Sequence, residues 1–266
     1  MDGMTGGSNI VGHSKTPEIS GRDYYRSLYQ SDLEFEAQWL SYGAAQKTDS
    51  IEMLLRRNQI QPKGILELGC GTGAVILECQ RRRLAEQFSA VDYSEDAISY
   101  LRSHSSGIEC RVADITDSAG VLDQHVDVVV LSHVLEHLEH PFQFLKSVTD
   151  RIAFRYLICE VPLEDLCASR IKNLFRDRTR SVAGHVQFFT GASFGKLLQS
   201  AGLTLKDKRR YVSVVRPEVM EFVARKEGRS PAGTLLKKAL WWYFPRAFGP
   251  LWSRLYMANL AVLCER

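Results

Sequence analysis

The fold is decided by the stretch Gly64-Ile-Leu-Glu-Leu-Gly-Cys-Gly-Thr-Gly-Ala74. Its first five residues are mostly apolar and predict a buried strand of a parallel sheet. The three glycines after the strand, Gly69, Gly71 and Gly73, allow the backbone to adopt positive φ angles and to lie close against a ligand. A helix is predicted to begin near Ala74, so that its unpaired N–H groups face the same ligand. The stretch therefore predicts an α/β protein that binds a nucleotide-like molecule at this bend.

The acidic residue Glu67 indicates the charge of that ligand. The spacing Gly69-x-Gly71-x-x-Ala74 also fits the looser dinucleotide fingerprint, so the glycines alone leave two kinds of ligand open. Glu67 stands two residues before the first glycine, at the carboxyl end of the predicted strand. A carboxylate at that place repels a pyrophosphate and attracts an ammonium or sulfonium group. The sequence therefore favours a cationic ligand.

Four later stretches follow in a characteristic order and spacing. They are Ala90-Val-Asp92-Tyr93-Ser94, Val112-Ala-Asp114-Ile115, Asp127-Val-Val-Val-Leu-Ser-His-Val-Leu-Glu-His137 and His185-Val-Gln-Phe-Phe-Thr190. Together with Glu67-Leu-Gly69-Cys-Gly71-Thr-Gly73, they resemble the class I S-adenosylmethionine-dependent methyltransferases of the small-molecule type, over residues from about 60 to 215. The resemblance implies S-adenosylmethionine as the cofactor and methyl transfer to a small-molecule acceptor.

The resemblance also implies an α/β fold of a particular kind. We expect a Rossmann-like, doubly wound sheet of seven mostly parallel strands, with the last strand antiparallel. An N-terminal helical cap is expected before the sheet. The chain between the sixth and the last predicted strand is far longer than the turn that the plain fold needs, so a helical insertion is expected there.

The same resemblance implies which positions contact the cofactor. Asp92 follows the second predicted strand, where a nucleotide-binding unit places an acid on the ribose hydroxyls. The alternative for Asp92, a helix-capping role, is weaker because Ser94 suits that task. Asp114 and the backbone N–H of Ile115 are implied to meet the adenine ring. The full set of predicted cofactor contacts is Glu67, Gly69, Cys70, Gly71, Gly73, Asp92, Tyr93, Asp114, Ile115, Ser132 and His133.

Three histidines are candidates for a catalytic base: His133, His137 and His185. An acceptor that is a hydroxyl or a protonated amine would lose its proton to a neutral histidine near the strand ends, whereas a carbon nucleophile needs none. Packing and metal binding are alternatives, since His133 and His137 would share one face of a helix, with Glu136 beside them. No metal site is predicted, because related quinone-type O-methyltransferases carry an acid where this chain has His133. The acceptor atom stays open between oxygen, nitrogen and carbon.

The chain is predicted to divide into three parts. Residues 1–20 are expected to be a disordered or tag-like terminus, residues 21–60 the helical cap, and residues 61–266 the methyltransferase domain. That domain carries insertions at 163–184 and 216–258. The first insertion is basic, which is typical either of a solvated helix or of a lid that closes over an anionic acceptor.

The second insertion combines aromatic residues with cations. Between residues 235 and 256 the aromatic side chains are Trp241, Trp242, Tyr243, Phe244, Phe248, Trp252 and Tyr256. So much apolar surface must be covered by something. It packs on the core or on a second subunit, lines the acceptor pocket, or makes a peripheral contact with a membrane. These alternatives stay open at this stage, as does the choice between a monomer and a homodimer.

Composition narrows the class of protein. A hydrophobic content of 45% over 266 residues suffices for one large core. The net charge of +3 is too small to indicate a nucleic-acid partner. An RNA or other macromolecule methyltransferase is nevertheless one alternative, and a non-catalytic cofactor-binding or membrane-peripheral protein is another.

The six cysteines form no Cys-x-x-Cys pair and indicate reduced thiols. The sequence shows neither a transmembrane run nor a signal sequence, so a cytoplasmic protein is expected.

Overall fold

The computed structural model describes residues 21–116, 125–163, 185–226, 228, 230–255 and 258–266. Seven strands in these ranges form one sheet: β1 Gly64–Leu68, β2 Gln87–Asp92, β3 Ile108–Val112, β4 His125–Ser132, β5 Ala153–Pro162, β6 Thr204–Tyr211 and β7 Asn259–Glu265. Their spatial order is β3-β2-β1-β4-β5-β7-β6. The first five strands pair in parallel, and β7 runs antiparallel to both β5 and β6. The predicted Rossmann-like fold with an antiparallel last strand is confirmed.

Eight α-helices of the described ranges flank this sheet. They are α1 Gly21–Arg57, α2 Ala74–Arg81, α3 Glu95–His104, α4 Pro141–Arg151, α5 Gly191–Ser200, α6 Pro217–Lys226, α7 Pro231–Lys238 and α8 Phe244–Leu255. A 3-10 turn at Leu135–His137 follows β4, and a π-helical turn at Ala239–Tyr243 joins α7 to α8. The helices α6 to α8 form the expected insertion between β6 and β7. The predicted terminal segment 1–20 and nearly all of the predicted basic lid, 164–184, lie outside the described residues.

The inner strands are buried on both faces because helices cover the sheet on each side. Successive residues of β1 alternate between the faces: Leu66 packs in one apolar core with Phe194 of α5, and Ile65 packs in a second core with Leu54 of α1. All four of these side chains are fully buried. A strand that packs against a core on each face needs apolar side chains on both faces. This explains the valine-rich sequence of β4.

Local sequence signals set the ends of several helices. Ser94 and Thr190 each accept a hydrogen bond from the backbone N–H three residues further on, and so cap α3 and α5. Pro141 is the first residue of α4, where its missing N–H group is not needed. Gly202, just beyond α5, has a φ of 87°, as a left-handed helix end requires. The cap at Ser94 agrees with the expectation from the sequence.

Five of the six cysteines lie within the described residues. Cys70, Cys79, Cys110, Cys159 and Cys264 are free thiols, while Cys167 lies outside those residues. None of the helices in the described ranges combines the length and the hydropathy that a membrane span requires.

The N-terminal helix α1 consists of two parts that meet at Asp32. The backbone of Asp32 is non-helical, with φ −162° and ψ 67°, and its Oδ1 accepts a hydrogen bond of 3.2 Å from Phe35 N. The part after the break packs on α2 and ends at β6, where the Arg57 guanidinium donates to both carboxylate oxygens of Asp207 at 2.9 and 2.6 Å. The contacts with α2 and β6 therefore fix this part of α1 against the sheet.

Arg82 joins α1 to the helix that follows the glycine-rich bend. Its guanidinium lies 2.7 Å from Asp49 and 3.0 Å from Glu52 on α1, and 2.8 Å from Glu78 on α2. We predict that Arg82→Met lowers the free energy of unfolding by about 2 kcal/mol, because it leaves three carboxylates without their shared cation. Urea unfolding measures this change.

The matched control is Arg56→Met. The Arg56 side chain is 80% exposed and also pairs with Glu52, whereas the Arg82 side chain is 17% exposed. An exposed ion pair of this kind contributes about 0.5 kcal/mol or less. Equal losses of stability in the two variants would contradict a special role for Arg82.

Candidate active site

The glycine-rich bend lies at the carboxyl end of β1, at the edge where ligands of open α/β sheets bind. Gly69, Gly71 and Gly73 all have positive φ angles, of 72°, 53° and 79°, as the sequence predicted. A Cβ atom at Gly69 would lie 2.8 Å from Val134 Cγ2, and one at Gly71 would lie 2.5 Å from Tyr29 Oη. The bend is thus a shallow cradle that tolerates no side chain, which fits close approach of a cofactor to the backbone.

Asp92 connects the bend to the end of β2. Its Oδ2 accepts a hydrogen bond of 2.8 Å from Gly71 N, and its Oδ1 accepts one of 2.9 Å from Ser94 N. Burial raises the pKa of the Asp92 carboxyl, and these hydrogen bonds offset only part of the rise. Each carboxylate oxygen accepts more than one hydrogen bond, so Asp92 retains acceptor capacity for a diol. Asp92 also stabilises the turn before α3, because it accepts the hydrogen bond from the backbone N–H of the capping residue Ser94.

Glu67 is a buried carboxyl in the second core. It is 3% exposed, and its Oε2 accepts a hydrogen bond of 3.0 Å from Ile76 N in the first turn of α2. Burial raises the pKa of Glu67 from 4.5 to about 8, against the lowering effect of the positive charge on Lys47. The carboxyl is therefore largely protonated at neutral pH, and a cation placed beside it would favour its ionised form. This arrangement fits a positively charged cofactor.

Two predicted adenine contacts follow β3 along the same edge. Asp114 Oδ1 accepts hydrogen bonds from Thr116, at 3.0 Å from its backbone N and 2.7 Å from its Oγ1. The Cδ1 atom of Ile115 lies 3.5 Å from the place where a Cβ of Gly69 would stand. Residues after β3 therefore reach the glycine-rich bend.

Ser132, Cys70 and Tyr93 complete the set of predicted cofactor contacts. Ser132 ends β4, and its Oγ is buried without a hydrogen-bond partner among the described residues. An unsatisfied buried hydroxyl of this kind marks a place where a ligand atom would complete the site. Burial raises the pKa of the Cys70 thiol well above its usual range, so Cys70 is an inert part of the bend. Tyr93 is half-buried directly after β2.

The imidazole of His133 lies between two buried carboxylates. His133 Nδ1 is 3.0 Å from Glu136 Oε1, and Nε2 is 3.2 Å from Glu160 Oε1, which also accepts a hydrogen bond of 2.6 Å from Tyr211 Oη. Burial and the charge of Lys47 lower the pKa of His133, but Glu136 and Glu160 outweigh them and raise it above 6.5. The backbone φ of 58° is rare for a residue other than glycine. The surroundings therefore favour a cationic, firmly held ring.

His137 and His185 lie on the other side of the Glu136 side chain. The predicted helix at this point is a 3-10 turn, so His133 and His137 do not share the face of an α-helix. The rings of His137 and His185 are 4.9 Å apart, and Tyr25 of α1 packs its ring 5.0 Å from that of His137. Two backbone N–H groups that follow His185 donate to the carbonyl of Glu136 at 2.8 and 3.0 Å. The three predicted histidines therefore surround one carboxylate.

The charges within this cluster differ sharply. Burial lowers the pKa of His185 from 6.5 to about 4, against the opposing charge of Glu136, so its imidazole is neutral at neutral pH. Burial raises the pKa of Glu136, but the neighbouring imidazoles of His133, His137 and His185, and above all the contact with His133, lower it to about 2. Glu136 is completely buried, and its Oε2 accepts no hydrogen bond from the described residues. The ligand atoms of Glu136, His137 and His185 lie within 4.8 Å of one another, close enough to hold a metal ion.

Four residues at this edge escaped the sequence analysis: Tyr25, Tyr29, Glu160 and Tyr211. Glu160 could have been singled out, because it is an acid within the apolar run from residue 156 to residue 161 of β5. The tyrosines had none, since they reach the site from α1 and β6, which are distant in sequence from the motifs.

Glu67 generates a prediction about stability in the cofactor-free protein. Its folded-state pKa of about 8 lies above the unfolded value near 4.5, so between these pH values the folded carboxyl stays protonated while the unfolded one ionises. The wild type therefore loses stability as the pH rises through this window, by at most about 1.4 kcal/mol per pH unit. The amide in Glu67→Gln does not titrate, so this variant should gain stability over the wild type from about pH 5 to about pH 8.

Urea unfolding across that pH range measures the difference. Glu78→Gln is the matched control, because hydrogen bonds from Arg81, and with them those from Arg82, hold the pKa of Glu78 at about 2 despite some burial. Its difference from the wild type should stay constant over the same range. A constant difference for Glu67→Gln as well would contradict the raised pKa.

Comparison with known proteins identifies the family. A family described as a methyltransferase domain matches residues 38–208, which is more than half of the chain. A trans-aconitate 2-methyltransferase from Mycolicibacterium gilvum is 28% identical over 64% of this chain and 69% of its own length. The mitochondrial ubiquinone biosynthesis O-methyltransferase of Schizosaccharomyces pombe is 36% identical over 38% of each protein. The chain also matches a nonribosomal peptide synthetase from Curvularia clavata, at 26% identity over 73% of this chain, but spans only 1% of that protein.

Solved structures agree on the fold. The magnesium protoporphyrin IX methyltransferase of Synechocystis PCC 6803, with S-adenosylhomocysteine bound, superimposes with a TM-score of 0.58 over 93% of this chain and all of that one, at 14% identity. The family match, the sheet order and the glycine-rich bend at the end of β1 therefore agree. This chain belongs to the methyltransferase-domain family and is a class I S-adenosylmethionine-dependent methyltransferase.

Proposed function

We propose that this enzyme methylates a hydroxyl oxygen or an amine nitrogen of a small-molecule acceptor, with His185 as the general base. The observation that carries the proposal is the neutral imidazole of His185 beside the buried carboxylate of Glu136, beyond the carboxyl end of β4. An oxygen acceptor is supported by the relative from Schizosaccharomyces pombe, which is named an O-methyltransferase.

In this proposal the cofactor is held by acidic residues at three neighbouring strand ends. Glu67 takes the positively charged end of the cofactor, Asp92 the ribose hydroxyls, and Asp114 with the N–H of Ile115 the adenine ring. The burial of Glu67 and the acceptor capacity of Asp92 support these roles. The cofactor supplies a methyl carbon that its sulfonium has already activated. The protein therefore mainly has to align the acceptor with that carbon and exclude water.

We assign the base to His185 rather than to His133 because their surroundings differ. Both ring nitrogens of His133 face carboxylates, so this ring is suited to hold Glu136 and Glu160 in place. His185 is neutral, and its ring packs edge-to-face on His137. As the acceptor attacks, its proton moves to a ring nitrogen of His185, and the resulting cation lies near the Glu136 carboxylate. His137 then positions the base by packing against its ring.

The cofactor roles lead to a binding prediction. Asp92→Ala should weaken binding of S-adenosylhomocysteine about 10- to 100-fold, because one or two charge-assisted hydrogen bonds are lost. Isothermal titration calorimetry measures the affinity. Ser94→Ala is the control: it removes the cap of α3, which lowers stability by about 1 kcal/mol, without a direct role in cofactor binding. Unchanged affinity in Asp92→Ala, or tighter binding of NAD than of S-adenosylhomocysteine by the wild type, would contradict the proposal.

The role of His185 leads to a kinetic prediction. His185→Ala should lower the turnover rate about 10²- to 10⁴-fold while it leaves the affinity for S-adenosylhomocysteine nearly intact. In the wild type, kcat/KM should stay level as the pH falls to about 5 and decline only near the free-enzyme pKa of about 4. Release of S-adenosylhomocysteine, measured with a panel of phenols, carboxylic acids and amines, provides the assay.

His104→Ala is the matched control, because His104 is an exposed histidine on α3 that stacks on Tyr100. It should retain full turnover. A decline of kcat/KM near pH 6.5, or equal turnover in the His185→Ala and His104→Ala variants, would exclude His185 as the base. If chelation abolished turnover and a divalent ion restored it, His185 would be a metal ligand instead.

A further inference from the structure

The insertion between β6 and β7 presents an unusually apolar surface to solvent. Ten large hydrophobic side chains of the described residues are exposed, and six of them lie on α7, the π-helical turn and α8. We call these six, together with the neighbouring cations Lys237 and Arg246, the aromatic–basic surface: Leu235, Leu236, Tyr243, Phe244, Phe248 and Leu251. Leu235 and Leu236 are 65% and 61% exposed. Neither packing on the core nor lining of a closed pocket accounts for side chains that face solvent in this way.

The charged residues within 231–258 all have one sign. From residue 231 to residue 258 the sequence contains Lys237, Lys238, Arg246 and Arg254 and no acidic residue. Lys238 pairs with Glu221 of α6 at 2.5 Å, which anchors α7 to the rest of the insertion. Lys237 Nζ lies 5.0 Å from the Trp241 ring and the Arg246 guanidinium 4.5 Å from the Trp242 ring. Cations that lie over aromatic rings beside exposed leucines are arranged as in proteins that rest at a membrane–water interface.

We propose that the aromatic–basic surface docks on an anionic lipid surface, with its apolar side chains in the headgroup region and its cations against lipid phosphates. Charge complementarity favours this occupant over a second copy of the chain. A two-fold symmetric dimer through this surface would place the cations of one copy against those of the other, without acids in residues 231–258 to offset them. Binding to an anionic bilayer instead gains about 1 kcal/mol for each cation near the lipid phosphates, which is roughly fivefold in affinity.

The surface is also coupled to the catalytic domain without being part of its site. Val215 N, just beyond β6, donates a hydrogen bond of 3.2 Å to Trp241 O. The neighbouring Val214 exchanges hydrogen bonds of 2.7 and 2.8 Å with the side chain of Gln46 on α1. Docking would therefore fix the orientation of the methyltransferase domain on the bilayer. The proposal is independent of the methyl acceptor and of the base, so either inference can fail alone.

Sedimentation of the full chain with vesicles tests the proposal. Binding is expected to vesicles of equal parts phosphatidylcholine and phosphatidylglycerol, and to weaken at high salt, with little binding to phosphatidylcholine alone. The double variant Phe248→Ser with Leu251→Ser, and separately Arg246→Glu, should each weaken binding about tenfold or more. Phe142→Ser is the control for an exposed aromatic residue on α4, and Lys63→Glu is the control for an exposed cation. Both controls should bind like the wild type, and all variants should keep their melting temperatures and their affinity for S-adenosylhomocysteine.

Tryptophan fluorescence gives an independent measurement. The chain has four tryptophans, and only Trp39 lies outside the insertion. In a Trp39→Phe variant, brominated lipids should therefore quench the remaining emission when anionic vesicles are added. Absence of both vesicle binding and quenching would overturn the proposal. So would a dimer that forms without lipid and is broken by the Phe248→Ser and Leu251→Ser pair, because the surface would then be a subunit interface.

Discussion

The His133 imidazole, which lies between two buried carboxylates, makes the interaction on which the histidine cluster depends. It joins the end of β4 to the following turn through Glu136, and to β5 through Glu160, which Tyr211 of β6 also contacts. Removal of one member would leave a buried charge without its partner, which is far more destabilising than loss of an exposed pair. A left-handed backbone at a histidine is tolerated here because the ring is held at both nitrogens.

Two buried carboxyl groups divide the site into sides of opposite electrostatic character. Burial of Glu67 outweighs the charge of Lys47, so the pKa of Glu67 rises to about 8, whereas three imidazoles lie close to Glu136 and its pKa falls to about 2. Burial alone therefore does not determine the charge of either group; the neighbours do. The proposed function assigns the positive charge of the cofactor to the side near Glu67. It assigns transfer of the acceptor's proton to the side near Glu136.

Many elements of the architecture could be predicted from the sequence, because the signals that set them are local. Apolar runs, the glycines with positive φ and the cap Ser94 each act within a few residues and predicted individual elements, whereas the resemblance carried by the ordered motifs implied the seven-stranded sheet. Contacts between distant elements could not be predicted this way. Tyr29 contacts the glycine-rich bend only when α1 packs on the domain, and Glu160 contacts His133 only when β4 and β5 pair. The positive φ of His133 could not be predicted either, because the residue at that position is not a glycine.

The position of β7 between β5 and β6 has a consequence for the order of folding. In the described sheet β6 pairs only with β7, yet β7 follows it in the chain after the whole α6 to α8 insertion. While the chain is being synthesised, β6 therefore has no strand to join until the insertion and β7 have emerged. The parallel half of the sheet, with the glycine-rich bend, is complete much earlier. The glycine-rich bend can therefore form in a nascent chain before Tyr211 can reach Glu160. Until β7 has been synthesised, the apolar side chains of the insertion are exposed to aggregation.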